Sequence, residues 1–188
     1  LHNFFFLTRE NQRWIGTGYL LANTDSGAGT LYHFQVETNV VYYSGAINRL
    51  QAQFDYTAYL LYKFGIATNV NLKRVADGVV HLRVTAFDPN GALILPYDPG
   101  FDHTNIVRNS LIRTNLSFSQ EIEYTFSSNA VPATLELEIG FLENKTLGRL
   151  RSIPDLNAQR EYLRSHAAQV HLFRQRIPVR NVDFSAYQ

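Results

Sequence analysis

Hydrophobic and polar positions alternate with a period of two along much of this chain. Side chains of a strand point to opposite faces in turn, so such alternation predicts half-buried strands. The first 37 residues read as a three-stranded meander: Asn3 to Thr8 is a dense apolar run, Arg13 to Ala22 the second strand and Leu31 to Val36 the third. Glu10-Asn11-Gln12 and the stretch from Asn23 to Gly29 carry turn chemistry between them. Gly16 and Gly18 fall on one face of the second strand, a spacing that points to a bulge or to close approach by another element.

The period then changes. Ile47, Leu50, Phe54, Ala58 and Leu61 recur at helical spacing, Ser44 can cap the start and Gly65 can end the run. An amphipathic helix is predicted over 44–63, with Tyr56, Tyr59 and Tyr62 along its flank. Strands resume where Val80, Leu82, Val84 and Ala86 alternate with His81, Arg83 and Thr85, ahead of an Asp88-Pro89-Asn90-Gly91 turn. Residues 92–118 read as irregular, broken by Pro96, Pro99 and Gly100. Ile122, Tyr124 and Phe126 alternate with Glu121, Glu123 and Thr125. Leu135, Leu137, Ile139 and Phe141 alternate with Thr134, Glu136 and Glu138. Ser152 and Asp155 have capping-box-like spacing around Pro154 before a second helix over 155–167, and Val170 to Val179 is a last strand. The order β-β-β-α-β-β-β-α-β predicts an α+β fold of antiparallel sheets with one or two helices, as one domain over residues 1–188.

Charge sharpens this picture. Residues 1–143 hold 9 Lys/Arg against 13 Asp/Glu, and residues 144–188 hold 8 against 3. If the alternating apolar residues face the core, the outward sets carry opposite signs: Glu121, Glu123, Glu136 and Glu138 are acidic, Arg83, Arg174 and Arg176 basic. Opposite charges on neighbouring strands attract and like charges repel. Strand 170–179 is therefore expected beside 133–143, with Glu136, Glu138, Arg174 and Arg176 as structural charge pairs. That pairing absorbs the basic C-terminal excess. A nucleic-acid groove would interleave its cations with aromatics on the same face, whereas Phe173 points away from the arginines; no nucleic-acid partner is expected.

Composition, at 45% hydrophobic and 13% aromatic, is too apolar for a disordered chain. Without cysteine there is no disulfide, thiolate zinc site or thiol catalysis. The chain holds no Gly-x-Ser-x-Gly elbow, His-Glu-x-x-His, Walker loop or Gly-x-Gly-x-x-Gly. No catalytic or cofactor-binding residue is assigned, and His81 and His171 read as packing or surface residues. Asp98, Asp102 and Asn105 are the weak metal candidates, oxygen donors for calcium in a loop without the ligand periodicity of a calcium-binding loop. Ser165, His166 and Asp155 have the residue types of a triad, but Ser165 and His166 are adjacent on a predicted helix and are not expected to face each other. Trp14 reads as core.

Three segments carry a family resemblance. Arg74 to Asp88 with Asn90-Gly91 resembles the "Gly-Val, alternating strand, acidic or Asn-Gly turn" segment of minor pseudopilins. Asn129 to Ile139 is similar to their "Leu-Pro-x-Ala-Val-Glu-Leu" strand, and Val170 to Arg180 is like their closing strand. The chain thus resembles a prepilin-type minor subunit of bacterial type II secretion, the J-type most of all. The resemblance implies a pilin-like fold whose N-terminal anchoring helix is missing here, a view that the Met-free start at Leu1 suits. It also implies a head on the periplasmic side of the bacterial inner membrane, held there by that helix and docking with other minor subunits at a filament tip. It supplies no catalytic residues. The alternative is an extracytoplasmic β-rich module that binds carbohydrate or protein through Trp14 and the tyrosines. An enzyme would need converging acids and bases, and the sequence offers no such set.

Overall fold

The computed structural model describes residues 3–10, 13–38, 44–64, 72–94, 110–115, 121–126 and 132–179. Among these residues, eight strands and three helices follow in order. They are β1 (Phe4–Glu10), β2 (Arg13–Ala22), β3 (Gly29–Thr38), α1 (Ser44–Phe64), β4 (Leu72–Phe87), β5 (Ser110–Asn115), β6 (Glu121–Phe126), β7 (Thr134–Leu142), α2 (Asn144–Ser152), α3 (Leu156–Ser165) and β8 (Val170–Pro178). A short 3-10 turn at Ala167–Gln169 precedes β8. Six strands form one sheet in the order β1-β2-β3-β4-β7-β8, and β5 and β6 pair separately.

This corrects the expected α+β, pilin-like fold. A single six-stranded sheet dominates, antiparallel along β1-β2, β2-β3 and β3-β4, and the chain is more β-rich than a pilin-like arrangement. Two misread segments contribute. Residues 110–115 form β5 inside the stretch read as irregular, antiparallel to β6 with Ile112 opposite Tyr124. Residues 144–152 form α2, which the sequence hides because Gly148 interrupts it, its first turn has no acid, and Glu143 makes no capping bond.

By compactness the chain divides into two units. One holds residues 1–83 and 138–173, the other 84–137 and 174–188.

In the first unit, Leu20, Ala22 and Phe34 of the sheet bury against Phe54 and Leu61 of α1. Leu50, Phe54, Thr57 and Leu61 are the buried stripe, one residue every three or four, as an amphipathic helix requires. The close approach at the β2 glycines is real: a Cβ on Gly18 would meet the Phe54 ring, and one on Gly16 would lie 2.8 Å from the Phe5 ring. A second cluster joins Leu142 to Leu147 and Leu150 of α2, with Tyr162 and Leu163 of α3 against it. Asp77 is a node beneath α2: it accepts from Thr30 Oγ1 (2.9 Å) and Arg74 Nε (2.9 Å) and pairs with Arg151 (3.2 Å). α3 starts after Asp155, whose side chain accepts from the Ala158 amide at 2.8 Å. Ser152 closes the end of α2 instead, donating to the Arg149 carbonyl.

In the second unit, Asp88 closes the expected turn after β4. Its Oδ1 accepts from the Ala92 amide at 2.7 Å, and Gly91 takes a positive φ of 79°.

Candidate functional site

β7 is the strand on which sequence and structure differ most. Its buried residues are Glu136, Glu138, Gly140 and Leu142, while Leu135, Leu137, Ile139 and Phe141 stay half-exposed. The face expected to meet solvent is the covered one. Glu136 and Glu138 are each only 7% exposed. A carboxylate at that depth is costly unless paired, so the question is what covers it.

For Glu136, in the second unit, the cover is β8. Arg176 Nε donates to Glu136 Oε2 at 2.8 Å, and Arg174 Nε lies 3.5 Å from Oε1. The Arg176 guanidinium also sits 4.9 Å from the centre of the Phe87 ring. Long arginine stems bury a carboxylate while their heads keep most of their surface in water, here 61% and 67% of the side chain. The structure therefore brings Glu136, Arg174 and Arg176 together. In the first unit, Glu138 has His81 Nε2 at 3.3 Å. His171 Nε2 similarly lies 3.2 Å from Glu143 Oε1. Sequence reasoning passed over both histidines as carboxylate partners; their signal was their place on strands beside acidic ones.

Among the described residues β8 ends the six-stranded sheet, and from His171 to Pro178 every residue is exposed. Leu172, Phe173 and Ile177 are among the large exposed hydrophobics of the chain. Phe173 touches Phe141 edge-on at 6.1 Å, so the half-exposed apolar row of β7 continues onto β8 in the first unit. Other basic residues of the C-terminal quarter are also engaged in the fold: Arg151 on Asp77, Arg160 on the Asp25 carbonyl and Arg164 on Glu161.

The residues with triad-like types require a correction. Ser165 Oγ and His166 Nδ1 are 2.9 Å apart, although adjacency on a helix should separate them. The reason is that His166 has left the helix as its C-cap (φ −114°, ψ 20°), so its ring swings back over Tyr162. Ser165 Oγ and His166 Nδ1 both lie 2.8 Å from the Tyr162 carbonyl, where each can donate to one of the last carbonyls of the helix. With its Nδ1 proton on that carbonyl, His166 has no lone pair there to activate Ser165. Asp155 caps the opposite end of α3. The arrangement is a helix terminus.

Asp98, Asp102 and Asn105 lie outside the described residues, as do the side chains of Glu121 and Glu123. Among the described residues no group of three or more His, Cys, Asp or Glu could hold a metal, and no helix is long and apolar enough to cross a membrane. Trp14 is half-buried rather than core. A cavity of about 160 Å³ between β3 and α1, lined by Val36, Glu37, Thr38, Arg49, Leu50 and Gln53, is small for a substrate pocket. Compared with known protein families, curated proteins and solved structures, the chain matches none.

Proposed function

We propose that this chain is a non-catalytic structural subunit of a type II secretion pseudopilus or a type IV pilus-like filament, a minor subunit that docks with other minor subunits at the tip. In this reading it stands on the periplasmic side of the bacterial inner membrane. The observation that carries it is the exposed terminal strand β8, with Leu172, Phe173 and Ile177 open to solvent. An exposed edge with apolar side chains is a template for another chain, and proteins that do not use such an edge cover it. The segments resembling minor pseudopilins include β8 itself, within 170–180. The sheet-dominated architecture means that the proposal draws on this surface and not on a pilin-like fold.

Copurification tests it. The chain, expressed behind a membrane-anchoring helix with the other minor subunits of a type II secretion system, is expected to copurify with at least one of them. A charge placed on the exposed edge (Phe173→Glu) should reduce recovery while leaving the purified chain folded. Failure of the unaltered chain to recover any minor subunit would overturn the proposal.

A further inference from the structure

The first strand of the sheet has an outer edge whose sequence matches itself. Asn3 Oδ1 accepts from the Leu21 amide at 2.9 Å, so the Leu21 N–H faces β1. Successive residues of a strand turn their N–H and C=O toward opposite edges. Tyr19, Thr17 and Ile15 therefore face β1 as well, and their partners there, Phe4, Phe6 and Thr8, direct their backbone groups to β2. Phe5 and Leu7 present theirs to the outer edge. Among the described residues no strand lies beyond β1. Edges that stay unpaired are commonly blunted by charge or proline; from Phe4 to Thr8, β1 carries neither. The side chains of one face form an aromatic row that reaches this edge. His33 meets Tyr19 at 5.1 Å, Tyr19 stacks on Phe4 at 5.0 Å, and Phe4 stacks on Phe6 at 6.4 Å between ring centres. Phe6, where the row stops, is 42% exposed.

We infer that a second copy of this chain completes the edge: β1 pairs antiparallel with β1 of the other copy about a two-fold axis at Phe6, joining the two sheets into one. The inference is independent of the assembly proposal, which concerns β8. The sequence of β1 selects both the occupant and the register. About Phe6, Phe6 stands opposite Phe6, Phe5 opposite Leu7 and Phe4 opposite Thr8. Phe5 and Leu7, whose backbone groups point outward, then exchange both N–H···O=C bonds, while Phe6 falls at a position without ladder bonds, where side chains approach most closely. The aromatic row of one copy runs into that of the other, and aromatic pairs across strands add to simple burial. Charge agrees with this register. The only charged residues of the strand, Arg9 and Glu10, lie outside the paired stretch 4–8, residue 9 falling opposite Asn3. Like charges stand directly opposite only in registers centred on residue 9 or 10, where little of the strand overlaps. Centring on Leu7 instead would set Phe4 against Glu10 and Phe5 against Arg9, apolar against charged. An acidic or basic strand from another protein would find no opposite charge from Phe4 to Thr8, whereas the strand itself supplies the matching apolar order.

The test uses the full 188-residue chain, which contains no cysteine, so a single introduced thiol reports one position. Analytical ultracentrifugation of the unaltered chain should show a reversible dimer. At a paired position without ladder bonds the Cα atoms are about 4.5 Å apart, within the span of a disulfide. Phe6→Cys, incubated with oxidised glutathione, should therefore give a covalent dimer on a non-reducing gel. Thr8→Cys should not, because its two copies stand four residues out of step, about 13 Å along the strand. Phe6→Lys sets like charges opposite each other at the axis and removes the ring pair, and should weaken the dimer about tenfold with the Trp14 fluorescence unchanged. A monomeric unaltered chain would overturn the inference. So would a Phe6→Cys chain that does not crosslink, or a Thr8→Cys chain that crosslinks as readily. A dimer that Phe173→Glu dissociates and a folded Phe6→Lys does not would place the contact on β8 and overturn it as well. The cysteine pair reads the edge directly and decides the question whether or not the lysine variant folds.

Discussion

Gly18→Ala tests how tightly α1 is set on the sheet. A Cβ at Gly18 would lie 2.6 Å from Cδ2 of Phe54 and closer still to Cε2. Carbon atoms in ordinary contact are about 3.5–4.0 Å apart, so the ring must retreat by about 1 Å or more. It has little freedom to do so. Phe54 is buried, with the Phe5 ring centred 4.9 Å away and the Phe34 ring 5.7 Å away. Inserting a methyl into such a site costs about 1–3 kcal/mol. The unfolded chain gives back about 0.4–1 kcal/mol, because alanine has fewer states to lose than glycine. Gly18 is not among the positive-φ positions, so no backbone strain adds to the account. The balance predicts a net loss of about 1–2 kcal/mol. Trp14, the single tryptophan, lies on the same strand and unit, so its fluorescence during urea unfolding reports on this packing. Phe54→Leu alone should also destabilise, yet the double variant should lose less than the sum, with a coupling of about 1 kcal/mol. A Gly18→Ala protein as stable as the parent, or additive behaviour of the pair, would refute the packing argument.

Three further outcomes follow from the ion pairs and caps. Arg176→Ala should cost about 1–2 kcal/mol in urea unfolding, kept moderate because the arginine is largely solvated, and salt at about 0.5 M should shrink the difference only partly. Asp77→Asn should cost about 2 kcal/mol by loosening Arg74, Arg151 and the buried Thr30 hydroxyl together, and Thr30→Val should cost less when combined with Asp77→Asn than in the parent. Asp155→Ala should cost about 1 kcal/mol and accelerate hydrogen exchange at the Ala158 amide in particular; unchanged exchange there would remove Asp155 as the cap.

The strands and α1 were legible because their signals are local. Val80, Leu82 and Val84, or Leu50, Phe54 and Leu61, announce a period whatever surrounds them. β5 and α2 were not. The sequence Ser110–Asn115 is short and lies in a stretch broken elsewhere by Pro96 and Pro99, and it takes strand form by pairing with β6. α2 owes its place to Leu147 and Leu150 burying in a cluster with Leu142 and the distant Ala28, a neighbour that no local window of sequence contains. The glycines at 16 and 18 announced a close approach without naming the visitor, because a missing side chain specifies space and not its occupant. Ser165 and His166 failed differently. Helical geometry was carried one residue too far, and the C-cap turn brought together two side chains that a continuing helix would hold apart.

What the sequence determined by itself is the alternation of β7 and the neighbourhood of opposite charges that brings 134–142 beside 170–178. What only the tertiary structure decided is which side of that alternation is covered. A period of two divides a strand into two rows and is silent about which row is inside, since burial depends on what is laid over each face. Here two arginine stems from β8 lie over Glu136, so one acidic position of the row is buried and Leu135 and Leu137 remain half-open.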